Sequence, residues 1–226
     1  VSSAYIIVSL YGDDTVLLLA SNNNEHLEID TYISVNMAQQ YCMSNDLVFN
    51  QNKTKQMYFG RNRKDSTALP DLQNVNMLKH LGVTLDSDLS WKNHVDNLCK
   101  KLSSAIFAIK RTSAVSSPET SKIAYHALFQ SHLQYGIVVW GGTSNANLQR
   151  LLKLQKRALR IMTGQCPRES CRNTFKDLKI LTVISIYILE TVLFCVTRDL
   201  TRHRDLHGHN TRHAGNFHLP AHRTAT

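Results

Sequence analysis

Two adjacent carboxylates, Asp13 and Asp14, stand in a four-residue break, Tyr11-Gly12-Asp13-Asp14, between two apolar runs. Ala4-Tyr5-Ile6-Ile7-Val8-Ser9-Leu10 precedes it and Thr15-Val16-Leu17-Leu18-Leu19-Ala20 follows, so the stretch reads as a β-hairpin. Adjacent carboxylates repel, and a turn uses at most one Asp for its local hydrogen bonds. A divalent cation removes the repulsion, and paired Asp at a strand end is how two-metal phosphoryl-transfer sites hold their ions. The same four residues also fit an ordinary polar turn, and the rest of the chain has to decide. Farther on, Arg150, Lys153, Arg157 and Arg160 share one face of a helix. That stripe fits a phosphate backbone, and it fits a solvated surface as well. Cys166 and Cys171, with the histidine-rich end of the chain, raise zinc. Their loose Cys-x4-Cys spacing and the lack of a second tight pair argue against it.

The chain has 226 residues, room for one large domain or two small ones. Its 42% hydrophobic content supports a core and excludes wholesale disorder. A formal net charge of +9 favours a polyanionic partner. Five scattered cysteines fit a reducing compartment better than a disulfide framework, so the expected location is intracellular, nucleus or cytoplasm. No secretory leader is legible, and an opening directly on a strand, without an initiator Met, is read as an excerpt of a longer protein. The apolar run 180–196 approaches membrane-spanning length, but Glu190 interrupts it and Thr182 and Ser185 dilute it, so a buried helix is expected.

The elements that must hold these groups follow in order. After the hairpin, an Asn-rich loop caps a helix over about 25–43 that carries Ile29, Ile33, Met37 and Tyr41 as a core-facing stripe. Leu47-Val48-Phe49 and Gln56-Met57-Tyr58-Phe59 read as strands around a polar turn containing Lys53, and strand character returns over 78–85. Beyond Trp91 the pattern is helical. Residues 93–111 place Val95, Leu98, Leu102, Ala105, Ile106 and Ile109 on one seam. Ser117-Pro118-Glu119 starts a helix to about 132 with Ile123, Leu128 and Phe129 inward. Residues 133–142 read as a buried turn or short extended piece, with Tyr135 and Trp140, like Trp91, as core anchors. Asn145 is expected to cap a helix ending at Gly164, with Leu148, Leu151, Leu152, Leu159 and Met162 inward. Helical segments follow over 173–178 and 183–197, then a mobile tail holding six of the eleven histidines.

In this order and spacing the residues resemble the reverse transcriptases of non-LTR (LINE-type) retrotransposons, jockey-like or CR1-like elements in particular. Tyr11-Gly12-Asp13-Asp14-Thr15 is similar to palm motif C, with Gly12 where Ala is usual, an exchange expected to be sterically mild. Asn50, Lys53-Thr54 and Phe59 are similar to motif D. Lys79-His80-Leu81-Gly82-Val83-Thr84-Leu85-Asp86, with Leu89, Trp91 and His94, resemble motif E and the entry to the thumb. The stretch from Tyr125-His126-Ala127 to Trp140-Gly141 and the segment Leu154-Gln155-Lys156-Arg157-Ala158-Leu159-Arg160 resemble the helical region after the polymerase core.

The resemblance implies an α+β fold. A partial polymerase palm, a small antiparallel sheet with a helix, fills 1–90; a mainly helical thumb and connection region fills 91–197; a disordered basic tail fills 198–226. It implies an RNA-directed DNA polymerase by descent. Asp13 and Asp14 would be Mg²⁺ ligands, Lys53 would neutralise or protonate the leaving pyrophosphate, and Tyr11 and Gly12 would shape the turn near the primer end. Leu81, Gly82 and Val83 would be the primer grip, and an exposed turn lysine or an ordinary tight strand would look the same at Lys53 or at Gly82. The implied partners are an RNA template, a DNA primer, dNTPs and the missing N-terminal fingers, palm and endonuclease regions, with no membrane. With no motif A carboxylate ahead of Tyr11, the isolated chain is expected not to polymerise. A non-catalytic nucleic-acid-binding module and a decayed transposon relic are the alternatives.

Overall fold

The computed structural model describes residues 5–12, 14–60, 69, 72–198, 200–206, 208–209 and 211–218. The chain divides into two compact units, 1–93 and 94–226. In the first, β1 (Tyr5–Tyr11) and β2 (Asp14–Ala20) form an antiparallel hairpin with Tyr5 opposite Ala20 and Tyr11 opposite Asp14. Asn23 caps α1 (Asn24–Ser44), its side chain accepting the Glu25 backbone N–H at 2.8 Å.

The stripe Ile29, Ile33, Met37 and Tyr41 does share one face of α1, but all four are exposed. So are Ile6, Ile7, Val8 and Leu10 of the hairpin. Among the described residues, those buried in unit 1–93 are polar: Ser34, Thr84, Asp86 and Ser87. Helix and hairpin form from local pattern and capping, and among the described residues of this unit no apolar core closes over them.

The expected strands at 47–49 and 56–59 are not found. Among the described residues Leu47, Val48 and Phe49 pair with no strand, and three apolar residues without a neighbouring edge do not make one. Only β3 (Lys55–Gln56) survives, joined in parallel to β4 (Gln73–Asn74). β5 (Met77–His80) and β6 (Val83–Asp86) form a second antiparallel hairpin. Its two turn residues, Leu81 (φ 44°) and Gly82 (φ 83°), both lie in the left-handed region that a two-residue hairpin favours.

The hydrophobic core lies in the helical unit. α2 (Lys92–Val115) buries Val95, Leu98, Leu102, Ala105, Ile106 and Ile109, all six seam positions expected from the helical period. Ser117 caps α3 (Pro118–Ala124), with Pro118 at the helix start. The helix then widens into a π-helical segment, Tyr125–Gln130, before resuming as α4 (Ser131–Gln134). Tyr125, Phe129 and Leu133 are buried, whereas Ile123 and Leu128, expected inside, are exposed.

Gly136 (φ 62°) turns the chain into α5 (Ile137–Trp140), a short helix where a turn or extended piece was expected. Ile137 and Trp140 are buried there, and Tyr135, expected as a core anchor, is exposed. Tyr135 instead lends its carbonyl to the Trp140 indole N–H at 2.9 Å. α6 (Asn145–Thr163) is capped by Ser144, not Asn145, because the Ser144 hydroxyl accepts the Asn147 N–H; Gly164 (φ 67°) ends it. Leu151, Ala158 and Leu159 are buried, and Leu148, Leu152 and Met162 are half-buried.

α7 (Arg172–Asp177) and α8 (Val183–Thr197) complete the unit's main helices. Among the described residues no helix is long and apolar enough to cross a membrane. Beyond α8, where a disordered tail was expected, the described residues hold α9 (His203–Leu206) and a bridge between Arg202 and Phe217. Arg202 accounts for the difference. It donates Nη1 to the Gly215 carbonyl at 2.8 Å and lies over the Phe217 ring.

His94, at the start of the helical unit, is buried with its ring 5.3 Å from that of Trp140. Burial, reinforced by the Lys101 ammonium, holds its pKa below the ordinary 6.5. The unfolded chain therefore takes up a proton at a pH where folded His94 stays neutral. This contribution to stability is fully present above pH 6.5 and is lost as the pH falls through the folded value. Thermal melts at pH 7.5 and 5.5 should show a smaller acid loss for His94→Phe than for the parent chain; equal losses would rule this histidine out.

Candidate functional site

The β1–β2 connection is built by its residue types. Pairing of Tyr11 with Asp14 leaves only positions 12 and 13 for the turn, and Gly12 takes φ 61°. A Cβ on Gly12 would meet nothing within 4 Å, so an alanine has space there. The left-handed backbone would still strain it, so the exchange from the usual Ala is mild in volume and not in conformation. Tyr11 is 69% exposed and Asp14, the first residue of β2, is exposed. Asp13 lies outside the described residues.

A divalent cation of the Mg²⁺ type needs several oxygen ligands in near-octahedral array. Among the described residues, no three His, Cys, Asp or Glu side chains are grouped so that they could hold a metal ion. The described carboxylates of this chain therefore do not by themselves fit a metal centre at the hairpin. The zinc alternative finds no such group either; Cys171 is buried with its thiol 3.7 Å from the Lys156 carbonyl, and Cys166 is exposed.

Lys53 sits on an exposed turn organised by Asn50. The Asn50 carbonyl accepts the Lys53 and Thr54 N–H groups, both at 3.1 Å, and the Thr54 hydroxyl at 2.9 Å. The Asn50 side chain also accepts the Lys53 N–H. The Asn50 side chain thus helps shape the turn, and Lys53 is displayed on it.

Leu81 and Gly82 form the tip of the second hairpin and Val83 is the first residue of β6. Sequence reasoning missed how that hairpin is anchored. Buried Asp86 spans the following bend, accepting the Ser90 N–H at 2.9 Å and the Trp91 N–H at 3.0 Å on its two oxygens. A lone Asp between a strand and a polar turn gives no signal beyond turn chemistry.

On α6 the basic stripe divides in two. Arg150 donates to Asp96 at 2.6 Å and to the Asn147 side chain, and Arg160 chelates the Glu169 carbonyl through Nε and Nη2 at 3.1 and 2.7 Å. Lys153 and Arg157 project exposed between them. Gln155, midway between Lys153 and Arg157 in the chain, points the other way and is fully buried. Its Nε2 donates to the Tyr125 hydroxyl at 2.9 Å and to the Leu181 carbonyl at 2.8 Å, and its Oε1 accepts the Val183 N–H at 3.0 Å. Burial pushes the Tyr125 phenol up to about 12, partly offset by the Gln155 bond. Every part of this side chain is used to join α6, the π-helical segment and the start of α8.

Comparison with known proteins gives the chain its relatives. It is 27% identical over 190 residues, 78% of its length, to the probable RNA-directed DNA polymerase from transposon BS of Drosophila melanogaster. It is 24% identical over 188 residues, 77% of its length, to the RNA-directed DNA polymerase from mobile element jockey of the same organism. A third relative, the probable RNA-directed DNA polymerase from transposon X-element, is 27% identical over 113 residues, 48% of this chain. These alignments bear out the resemblance to non-LTR retrotransposon polymerases read from the residues. The chain spans 20% of the BS and jockey proteins and 12% of the X-element protein. No family model and no solved structure matches it.

Proposed function

We propose that this chain is the C-terminal palm and thumb portion of an RNA-directed DNA polymerase of a non-LTR retrotransposon, and that alone it does not polymerise. The observation that carries the reading is the β1–β2 hairpin, whose register leaves Gly12 and Asp13 between the paired Tyr11 and Asp14. The exposed apolar residues of β1 and α1 support it: a palm sheet needs a cover, which in this reading comes from polymerase segments that the longer relatives carry. Asp13 and Asp14 then supply part of a Mg²⁺ site completed by a carboxylate outside this chain. Lys53 faces the leaving pyrophosphate, and Leu81, Gly82 and Val83 approach the primer strand. Tyr11 and Gly12 set the turn. Lys153 and Arg157, flanked by the anchored Arg150 and Arg160, give the helical unit a face for template–primer phosphates, in an intracellular setting.

The test is primer extension on an RNA template by a longer polypeptide containing this sequence, compared with its Asp14→Asn variant. Extension by the parent and loss of extension in the variant are expected. Unimpaired extension by the variant, or none by the parent, would sink the reading.

A further inference from the structure

The segment after α8 contains something the polymerase reading does not use. A cleft of about 430 Å³ is lined by His203, His209, Thr211, His213 and Asn216. That volume is within the range of small-ligand sites. Its walls are held by backbone bonds: His203 N–H to the Asn216 carbonyl at 3.0 Å, Arg204 N–H to the Ala214 carbonyl at 3.0 Å, and His218 N–H to the Thr201 carbonyl at 2.8 Å. Two lining residues, His203 and Asn216, are thus fastened directly to each other. The Asn216 amide lies 3.4 Å from His213 Nδ1, and the His218 ring packs edge-on against His203 with centroids 5.5 Å apart.

The chemistry of the lining selects among ligands. Among the described residues these histidines belong to no group of three metal-capable side chains, so their rings are not gathered on one cation. No carboxylate is among the described lining residues. Three imidazoles offer flat π faces, and Thr211 and Asn216 offer hydrogen-bonding edges. A nucleobase needs that combination: a face to stack on and an edge to read. Arg212 stands between two lining residues in the chain, and it is exposed, where it can meet a phosphate. The nearby acid Asp205 is occupied by the Arg202 N–H and the Arg204 side chain.

We infer that the cleft lined by His203, His209, Thr211, His213 and Asn216 takes an unpaired base of single-stranded nucleic acid, stacked on the imidazole rings of His203 and His213. The inference rests on the polymerase reading for its class of ligand, and it gives the histidine-rich segment after α8 a role in holding a strand.

The test is fluorescence anisotropy of the full chain with a labelled single-stranded oligonucleotide and with an abasic strand of equal length and charge. The base-bearing strand should bind about tenfold tighter, as stacking on one or two rings allows. The double variant His203→Ala/His213→Ala should lose that preference while binding the abasic strand as before, and His203→Phe, which keeps a flat ring, should retain it. Equal affinity for the two strands in the parent chain would overturn the pocket, as would a preference that survives the double alanine variant or one abolished by a chelator. The outcome is separable from the polymerase reading: a longer polypeptide that extends primers but shows no base preference here sinks the pocket alone.

Discussion

Replacing Gln155 with Ala should cost the helical unit about 3–5 kcal/mol, read as a fall in the urea midpoint at unchanged slope. The substitution leaves three groups without this partner: the buried Tyr125 hydroxyl and Val183 N–H, and the partly buried Leu181 carbonyl. The Val183 N–H is one of the first-turn donors of α8, which have no acceptor within their own helix. A cavity adds to the loss, because the side chain is fully buried. Gln155→Leu refills most of that volume and restores none of the bonds, so the difference between the two variants isolates the packing part. If Gln155→Leu matches the parent chain, the hydrogen bonds contribute nothing net and this account fails.

Gln155 also marks where a sequence stops being informative. A glutamine among lysines and arginines on an amphipathic helix reads as surface, and only the tertiary fold shows it turned inward to meet an entering helix. The six-position seam of α2 was legible because a 3.6-residue period needs no knowledge of a partner. The π-helical segment was not: Tyr125 and Phe129 within it are buried while Leu128 is exposed, and no residue type announces the change of helix.

In the first unit the same limit takes another form. The stripe of α1 was read correctly as a stripe, but a pattern says which face is apolar and not what covers it. The first hairpin was recognisable from apolar runs broken at Gly12, whereas 78–85 read as one strand and is a hairpin turning at Leu81 and Gly82 in left-handed φ. Around the candidate site, residue types disclosed the carboxylate pair and the turn lysine. The Asp86 and Asn50 contacts that shape the neighbouring turns came only from the structure.

Gly141→Ala should destabilise the helical unit by about 3 kcal/mol, although nothing in its backbone conformation forbids a side chain. Gly141 ends α5 at φ −66°, so the obstacle is steric. A Cβ there would collide with the Tyr187 ring of α8 and would lie 2.5 Å from the Ile137 carbonyl oxygen. That carbonyl already accepts the Gly141 N–H at 2.7 Å and cannot retreat without losing the bond that closes α5. α5 carries Trp140 and Ile137, both buried, so a shift here displaces core side chains. Gly142 supplies the contrast: its Cβ would meet only the Tyr187 hydroxyl, at 3.4 Å, and Gly142→Ala should change stability by less than about 0.5 kcal/mol. Removing the ring separates the two obstacles. Tyr187→Ala should cost less in the Gly141→Ala background than in the parent, with a coupling of about 1–2 kcal/mol in thermal or urea unfolding. The carbonyl clash persists in the double variant, so it should remain less stable than Tyr187→Ala alone. Additive costs would show that the ring and the missing Cβ do not share this space, and Gly141 would then need a different explanation.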